Sequence, residues 1–506
     1  MPSLRAQKAH PDPLDESYIG TISLNKGPLK TAVIYPNSYT LGMSNLGFQG
    51  IFYQFATRSA FHANRFFYDP QSPLKTYSPE NHFSLGQAHI VLASQSFEND
   101  FIYLIEMLRS NRIDPRVDKR LSPFIGVGGA FPTMNPHLFI DTADLVFSGE
   151  YESYIDELLL FCSNISPDAQ GSKGFSWADA DRMMGPFISH KGKIKGDTGT
   201  PSPDTLKDPN YSHIITPHTT FSNTFLIEIT RGCRFRCRFC TVPSLYGNLR
   251  SFTKESLFKA FDLGLSKTKQ IGFVSALTTQ HPDLKELIHY VNEREGKVSF
   301  SSLRIEEIDD EFLELIKDNG QNILTIAPEV ASQELKKKVR KSIKIARIFD
   351  LVDRSLTLRF KKFKFYFMIG FEEEEEKDLD AIIDLISHVR EIALKRAKET
   401  RYMPEIILSI NQFIPKLKTP LHGDPFIDQK IIKRKMAYLR KHLLPLGNIK
   451  INGDDYRENY IQWRLSHGDA ELAKRIIDWV GDGFDSKKIY HTLSKRESIH
   501  PTAERL

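Results

Sequence analysis

The stretch Thr230-Arg-Gly-Cys233-Arg-Phe-Arg-Cys237-Arg-Phe-Cys240 contains three of the four cysteines of this 506-residue chain. It follows the apolar, alternating run Phe225-Leu-Ile-Glu-Ile-Thr230, which predicts a β-strand. Thiolates are the soft ligands that hold iron–sulfur clusters, and a cuboidal four-iron cluster needs four ligands. Three clustered cysteines leave one iron without a protein ligand, and small molecules bind and react at such an open position. The stretch therefore predicts a reactive metal centre at the end of a strand.

The cysteine spacing is C-x3-C-x2-C, with the aromatic Phe239 immediately before the last cysteine. This pattern resembles the signature of the radical S-adenosylmethionine (SAM) superfamily. The resemblance implies that Cys233, Cys237 and Cys240 bind a [4Fe-4S] cluster whose open iron chelates the amino and carboxylate groups of SAM. It also implies reductive cleavage of SAM to a 5′-deoxyadenosyl radical that abstracts a hydrogen atom. The cofactors supply this chemistry and the protein encloses them, so Phe239 is expected near the adenine.

A structural zinc site is the alternative interpretation of the cysteine stretch, because three cysteines and one histidine form a common zinc-binding set. Such sites usually combine two short loops that are far apart in the sequence. The fourth cysteine, Cys162, stands alone in the apolar helical run Leu158-Leu-Leu-Phe-Cys162, which is typical of a buried residue. We therefore favour the iron–sulfur interpretation and expect Cys162 in a hydrophobic core.

Length and composition predict a multidomain globular protein. Hydrophobic residues make up 40% of the chain and charged residues 26%, and its length corresponds to two to four domains. The first residues are polar, and no apolar run reaches the ~18 residues that a membrane helix requires. Few cysteines, mostly in one loop, argue against a disulfide framework, so we expect a cytoplasmic protein. The net charge of +5 permits an anionic substrate without requiring one.

Strand-like and helix-like segments alternate after residue 216 and predict a parallel sheet covered by helices. Strands are expected at 224–230, 269–275, 297–302, 322–326, 363–369 and 405–410. Six such units fit the partial (β/α)6 TIM-like barrel of the radical SAM superfamily. Because the cysteines follow the first strand, the cluster is expected at the carboxyl end of the strands, where barrel active sites lie.

Polar residues that follow the later strands resemble the corresponding stretches of cobalamin-type radical SAM proteins. By this resemblance, Arg304 or Ser302 is expected to meet the carboxylate or ribose of SAM. Glu329 is expected to accept a hydrogen bond from the SAM amino group or ribose. The backbone at Ile369 and Gly370 is expected to approach the adenine, where a side chain would obstruct.

The end of the second barrel strand departs from the family pattern. Many members carry Gly-Gly-Glu-Pro there and bind the SAM amino group with it. This chain instead reads Gly272-Phe-Val-Ser275-Ala. The resemblance therefore leaves the hydroxyl of Ser275 or nearby backbone carbonyls to contact the amino group.

A second βα series precedes the barrel and predicts a Rossmann-like domain. Strands are expected at 29–35, 88–94, 123–127 and 145–148, and helices at 46–57, 99–109 and 151–164. Short glycine-containing turns at strand ends let a backbone approach a large ligand. The pattern resembles the cobalamin (B12)-binding domain of the cobalamin-dependent branch, in an uncharacterised subgroup. The resemblance implies a cobalamin site at Asn37, Ser38, Ser96, Gly128, Gly129, Asn135, Gly149 and Glu150.

The motif Asp-x-His-x-x-Gly, whose histidine ligates cobalt from below, is absent from this chain and from many cobalamin-type radical SAM proteins. The alternative interpretation is a Rossmann-like domain that has lost its cofactor and serves as a substrate or partner surface. Four regions are predicted: the Rossmann-like domain 1–188, a linker 189–215, the barrel 216–420 and a helical C-terminal extension 421–506. We expect the extension to close the barrel mouth.

The resemblance implies a radical SAM enzyme that methylates an unactivated carbon with cobalamin. One SAM would methylate cob(I)alamin and a second would generate the radical. Beyond the cofactor ligands, no catalytic residues are expected. The alternatives are the same radical chemistry without methyl transfer (rearrangement, cyclisation or oxidation) and a metal-stabilised, non-enzymatic RNA-binding adaptor. The expected partners are a peptide, RNA, lipid or small-molecule substrate and an external electron donor of the flavodoxin or ferredoxin type.

Overall fold

The computed structural model describes residues 15–20, 26–168, 174–183, 187–189, 193–195, 208–301, 303–341, 343–480 and 486–495. Most of the predicted linker and the predicted SAM contact Ser302 lie outside these ranges. Two α/β units pack against each other in the described part of the chain. Every helix within it is too short or too polar to span a membrane.

The first unit is built on an eight-stranded, mostly parallel sheet. Its region contains the strands β1 (Ser17–Tyr18), β2 (Leu29–Tyr35), β3 (Phe61–Tyr68), β4 (Thr76–Tyr77), β5 (Ile90–Ser94), β6 (Phe124–Gly128), β7 (Leu145–Phe147), β8 (Phe187–Ser189), β9 (Ile194–Lys195) and β10 (Ile214–Ile215). The sheet order is β4-β3-β2-β5-β6-β7-β8-β9, while β1 and β10 form a separate antiparallel pair. Strands β2, β3, β5, β6 and β7 run parallel, which is the topology of a Rossmann-like domain.

Helices cover both faces of this sheet. They are α1 (Tyr39–Gly42), α2 (Leu46–Ala56), α3 (Asp100–Ser110), α4 (Ala130–Met134), α5 (Ile155–Ser163) and α6 (Trp177–Arg182). Helices α2 and α5 pack on one face, and α3 and α4 pack on the other. The thiol of Cys162 is fully buried in α5, as expected from its apolar surroundings in the sequence.

Strand β3 was not expected from the sequence. Its residues Phe-His-Ala-Asn-Arg-Phe-Phe-Tyr do not alternate between apolar and polar, because both Asn64 and Arg65 are buried. The guanidinium of Arg65 is neutralised by ion pairs with Glu16 at 2.7 Å and Glu80 at 2.6 Å. Arg65 interrupts the apolar pattern that would predict a strand, because its burial depends on ion-pair partners that only the folded chain brings near.

The second unit is a half-open βα barrel. Its strands are β11 (Thr224–Glu228), β12 (Thr230–Arg231), β13 (Arg250–Ser251), β14 (Gln270–Val274), β15 (Lys297–Phe300), β16 (Ile323–Glu329), β17 (Lys362–Ile369), β18 (Glu405–Gln412) and β19 (Ile449–Gly453). Its helices are α7 (Val242–Tyr246), α8 (Lys254–Leu265), α9 (Leu284–Asn292), α10 (Asp310–Asp318), α11 (Gln333–Val339), α12 (Ile345–Thr357), α13 (Glu376–Thr400) and α14 (Gln429–Leu443). Two parallel sheets, β11-β14-β15 and β16-β17-β18-β19, form the barrel wall, and the short β12 and β13 pair antiparallel.

The six predicted barrel strands are present, and the expected α/β fold class is confirmed. The structure adds a seventh strand, β19, in the segment that we expected to be helical throughout. Its five residues, Ile-Lys-Ile-Asn-Gly, are too short a pattern to stand out between two helices. Pairing with β18 supplies the backbone hydrogen bonds that fix it as a strand.

The barrel interior differs from its helix-covered outside. In β17, Phe363, Phe365 and Phe367 are fully buried under the outer helices. The alternate residues Lys364 and Tyr366 face the other side and are only half-buried. Because strand residues alternate between faces, β17 presents polar groups to the barrel interior, which is typical of a ligand-binding space.

The last three helices complete the first unit. They are α15 (Tyr456–Ser466), α16 (Ala470–Trp479) and α17 (Ser486–Lys495). Their apolar side chains, among them Leu465 and Ile476, join the core on the α3 and α4 face of the first sheet. The Asn135 amide donates to the carbonyls of Leu465, Ser466 and Gly468 at 3.3, 3.2 and 2.7 Å. The C-terminal helices therefore pack mainly on the first unit and not at the barrel mouth, where the sequence interpretation places them.

A buried histidine makes the stability of this assembly pH-dependent. The His213 ring stacks on Tyr53 of α2 at a centroid distance of 3.9 Å, and burial lowers the pKa of His213 to about 4. Between this value and the ordinary pKa of about 6.5, the unfolded chain binds a proton that the folded chain does not. The free energy of unfolding therefore falls as the pH falls through that window. We expect His213→Phe to remove about 2 kcal/mol of this destabilisation at pH 5.

The measurement is the thermal unfolding midpoint at pH 7.5 and pH 5. The loss of stability between the two pH values should be smaller in His213→Phe than in the wild type. His442→Phe, which changes an exposed histidine of α14, is the matched control and should behave like the wild type. Equal pH dependence in all three proteins would contradict the assignment.

Candidate cluster and cofactor site

The three clustered cysteines lie on the loop between β12 and α7. Their side chains are partly exposed, and the three thiols lie close enough to interact electrostatically. The backbone N–H of Cys233 donates to the Gly247 carbonyl at 3.1 Å, and that of Cys240 donates to the Cys237 carbonyl at 3.1 Å. The antiparallel pair β12–β13 closes the base of the loop. The loop is thus fixed at the carboxyl end of the first barrel strand.

Gly232 sets the entry into this loop. Its φ is +81°, and a Cβ atom there would lie 2.3 Å from the Asn248 carbonyl oxygen. Both facts require glycine, because an L side chain is strained at this φ and has no room. The turn geometry of the loop thus depends on one residue without a side chain, immediately before Cys233.

We expect Gly232→Ala to displace the loop, at a cost of at least about 1–3 kcal/mol of strain. Iron bound per chain after anaerobic reconstitution should fall several-fold, and the thermal midpoint should drop. Gly423→Ala is the matched control, because no atom lies within 4 Å of its added Cβ. Unchanged iron content in Gly232→Ala would show that the loop tolerates the side chain.

Cationic side chains surround the thiols. Burial raises the pKa of Cys233 and Cys237, and it raises the pKa of Cys240 to about 11, while the positive charge of Lys341 acts against burial at all three. Arg304 has the same opposing effect on Cys233 and Cys237. Cations near several thiolates suit a negatively charged cluster. Lys341 was not predicted, because it follows a lysine run that has the pattern of a solvated helix end.

Arg304 and Glu329 are two predicted SAM contacts that the structure brings to the cysteine loop. The Arg304 guanidinium stacks over Phe235 at 3.6 Å and pairs with Glu306 at 2.9 Å. Glu329 pairs with Lys341 at 2.9 Å. Its φ of +67° lies in the left-handed region, at a register shift in β16. Such backbone strain in a non-glycine residue is concentrated at functional sites.

The remaining predicted SAM contacts have different surroundings. The Ser275 hydroxyl shares a hydrogen bond with that of Thr230 and accepts from the Leu277 N–H at 2.8 Å. The Ile369 side chain is buried in the barrel core. The Gly370 N–H donates to the Glu374 carboxylate at 2.7 Å. Phe239 packs against the cluster of Val330, Leu335, Val339, Phe371, Phe413 and Leu421.

The donor set of the cysteine loop is three thiols. In a cuboidal cluster each thiolate binds a different iron, so three thiols leave one iron open. Three separate thiols beside two cations therefore fit a [4Fe-4S] cluster with one open iron.

A cavity of about 430 Å³ joins the two units. One wall is the carboxyl edge of the first sheet, and the other is formed by the ends of β11 and β14. Arg231 and Gly232, which precede the cysteines, line it on the barrel side. An apolar arm continues between the first sheet and helices α2 and α5, past Val33, Leu92 and Leu158. The volume is that of a ligand pocket, and the cavity reaches the start of the cysteine loop.

Five of the eight residues predicted for cobalamin line this cavity: Ser96, Gly128, Gly129, Gly149 and Glu150. The other three do not. Asn37 donates to Asp100 at 2.8 Å, and Ser38 caps helix α1. Asn135 holds the end of α15. The positions of Asn37, Ser38 and Asn135 in the structure therefore do not support a contact with cobalamin. In the sequence, an Asn or Ser at the end of a strand looks the same whether it binds a ligand or contacts a distant segment of the chain.

An ionic network around the buried Arg231 and Glu150 lies at the cavity wall. The Arg231 guanidinium pairs with Glu150 at 2.9 Å, Glu152 at 2.7 Å and Glu228 at 2.6 Å. Arg250 also pairs with Glu150. Burial raises the pKa of Glu228, although its hydrogen bonds with Arg231 oppose the rise. Because Glu150 and Glu152 belong to the first unit and the others to the barrel, the network fixes the two units around the cavity.

Two family profiles match the chain. Residues 227–386 match "Radical SAM superfamily", and residues 47–187 match "Radical SAM proteins, N-terminal". The uncharacterized protein MJ0966 of Methanocaldococcus jannaschii is 24% identical over 447 residues, which cover 88% of this chain and 90% of that protein. The described elements that carry the cysteines and the cavity fall within these matched segments or at their borders.

More limited similarities extend to proteins with named activities. A tRNA-2-methylthio-N(6)-dimethylallyladenosine synthase of Clostridioides difficile is 28% identical over 182 residues, 32% of this chain and 37% of that protein. A ribosomal protein uS12 methylthiotransferase RimO of Hydrogenobaculum sp. is 27% identical over 175 residues, 32% of this chain and 43% of that protein. The solved cobalamin-dependent SAM radical enzyme OxsB is 15% identical with a TM-score of 0.48, covering 71% of this chain and 52% of that one.

Proposed function

Since this chain belongs to the radical SAM superfamily, we propose that it uses a [4Fe-4S] cluster, SAM and cobalamin to methylate an unactivated carbon atom. Cys233, Cys237 and Cys240 would hold the cluster, and the cavity between the two units would hold cobalamin. When bound, these groups supply the radical and the methyl group of the reaction. The protein would bind, orient and enclose them.

The cavity carries this proposal. It is the place where the carboxyl edges of both sheets meet, and both Rossmann-like sheets and βα barrels bind ligands at that edge. A Cβ added at Gly149 would meet no atom within 4 Å, and one added at Gly128 would meet none within 3.4 Å. These glycines leave space for a large ligand to lie against the backbone. The apolar arm offers a dry recess for part of that ligand.

The side chains around the cysteines would orient SAM. The cations of Arg304 and Lys341 suit its carboxylate, and the Glu329 carboxylate suits its amino group. Glu329 is already paired with Lys341, so the three groups present both signs of charge beside the thiols. A zwitterion such as the methionine part of SAM matches this arrangement. Ser275, on the cavity wall, replaces the missing Gly-Gly-Glu-Pro contact in this proposal.

The test is anaerobic reconstitution with iron, sulfide and hydroxocobalamin, followed by desalting and reduction in the presence of SAM. We expect brown protein with about four irons per chain, a retained cobalamin absorbance, and formation of 5′-deoxyadenosine. Methyl transfer should also release S-adenosylhomocysteine. Absence of 5′-deoxyadenosine would reject the radical function, whereas absence of cobalamin alone would reject only methyl transfer.

A substitution that fills the cavity tests cobalamin binding independently of cluster binding. Gly128→Leu is expected to project a side chain into the cavity and to weaken cobalamin binding at least about tenfold, without loss of iron. The control is Gly423→Leu, at a position with open space outside the cavity. Cobalamin retention in Gly128→Leu equal to that of the control would show that cobalamin binds elsewhere.

A further inference from the structure

Exposed arginines cover the solvent side of the cysteine loop. Arg234, Arg236 and Arg238 are all exposed, and they alternate with the cysteines and phenylalanines that are half-buried. The three guanidinium groups therefore lie on the outer side of the loop, while the three cysteines before, between and after them are half-buried. The segment that carries the cluster ligands thus has a cationic outer surface.

Helix α11 extends this cationic surface. The Arg238 N–H donates to the Val339 carbonyl at 2.9 Å, which joins the cysteine loop to the end of the helix. Lys337 and Arg340 are exposed there. Segments 234–240 and 333–344 together contain nine Lys and Arg residues and one acidic residue, Glu334. Positive charge is thus concentrated where the cysteine loop meets the end of α11.

Part of this charge is already neutralised. Arg234 pairs with Glu307 at 3.2 Å, and Lys338 pairs with Glu373 and Asp424, which border the surface. No such pair within 4.0 Å involves Arg236, Lys337 or Arg340 among the side chains that the structure describes. We call Arg236, Arg238, Lys337 and Arg340 the cationic face. Its charges are available to a partner.

We propose that the cationic face is the docking surface for an acidic one-electron carrier protein that reduces the cluster. This inference rests on the proposed function, since the cluster must be reduced before SAM is cleaved. In each event the carrier is oxidised by one electron and the cluster is reduced by one electron. Opposite charges accelerate encounter and orient the carrier over the loop that carries the cluster ligands.

The test compares protein and chemical reductants. The triple variant Arg236→Gln/Lys337→Gln/Arg340→Gln removes three charges of the face. Lys395→Gln/Lys398→Gln/Lys433→Gln removes three exposed charges from α13 and α14 and is the matched control. Reconstituted proteins are mixed anaerobically with the hydroquinone of an acidic flavodoxin, and semiquinone formation is followed by stopped flow at 50 and 500 mM salt. Each protein is also assayed for 5′-deoxyadenosine with dithionite.

We expect flavodoxin hydroquinone to reduce the cluster of the face variant at least about tenfold more slowly than that of the wild type at low salt. The difference between the two rates should be smaller at high salt. Its dithionite-driven activity should equal that of the wild type, and the control variant should match the wild type throughout. Equal flavodoxin rates in all proteins would overturn the docking surface. Loss of binding to a single-stranded RNA, with flavodoxin rates intact, would overturn it in favour of a nucleic-acid surface. If dithionite fails in the wild type, the proposed function fails instead.

Discussion

Replacement of Cys237 with alanine is expected to lower 5′-deoxyadenosine formation by more than about 10³-fold. The cluster would be left with two thiolates from this loop, and a two-ligand site does not retain a four-iron cluster. Iron per chain and the visible absorbance of the cluster should be lost together with activity. The same result is expected for Cys233→Ala and Cys240→Ala.

The chain supplies a matched control for this experiment. Cys162 is the fourth cysteine, and it is fully buried in α5, in the core of the first unit. Cys162→Ala should keep the iron content and the SAM cleavage, with only a modest loss of stability from the small cavity. Full iron content in any of the three loop variants would contradict the assignment of that cysteine as a ligand.

Arg231→Met is expected to lower the free energy of unfolding by about 3–5 kcal/mol. Removing the guanidinium leaves the half-buried Glu152 and Glu228 without their cation, while the buried Glu150 keeps its pair with Arg250. Carboxylates that are withdrawn from water and lack a partner are strongly destabilising, whereas an intact pair offsets its own desolvation. Because the network spans both units, the loss should appear in the unfolding of the whole molecule.

The measurement is the chemical or thermal unfolding of Arg231→Met against the wild type. Lys285→Met is the control, because Lys285 also pairs with two carboxylates, Asp309 and Glu311, but on the exposed surface. Surface pairs contribute little, so this variant should unfold with the wild-type midpoint. A midpoint for Arg231→Met that equals the control would mean that the network is not needed to hold the two units together.

The barrel was predictable because each strand carries a local pattern. Alternation in β17 and the apolar run in β11 are visible in a few neighbouring residues, and helices separate them. Strand β3 was missed because its buried arginine has partners at Glu16 and Glu80, which only the fold brings together. Strand β19 was missed because five residues between helices give too short a pattern.

The cysteine positions follow from spacing alone, but their surroundings do not. Lys341 is twelve residues beyond the end of strand β16 on a segment with the pattern of a solvated helix end, and only the path of α11 brings it to the thiols. Asn135 is the reverse case, because the sequence suggests a local role and the structure shows a long-range contact. A polar residue after a glycine-rich strand end predicts a ligand contact, yet its amide holds a helix more than 300 residues away. Long-range packing decides both cases.

The contacts of Asn135 also determine when this protein can fold during its synthesis. Its partner carbonyl on Gly468 lies 333 positions further along the chain. At about 5–20 residues per second, a ribosome needs roughly 15–70 s to make that interval. The core on the α3 and α4 face is therefore completed only after the entire barrel has emerged, and until then the apolar surface that α15 to α17 cover stays exposed. A truncated product that lacks these three helices is expected to aggregate through that surface.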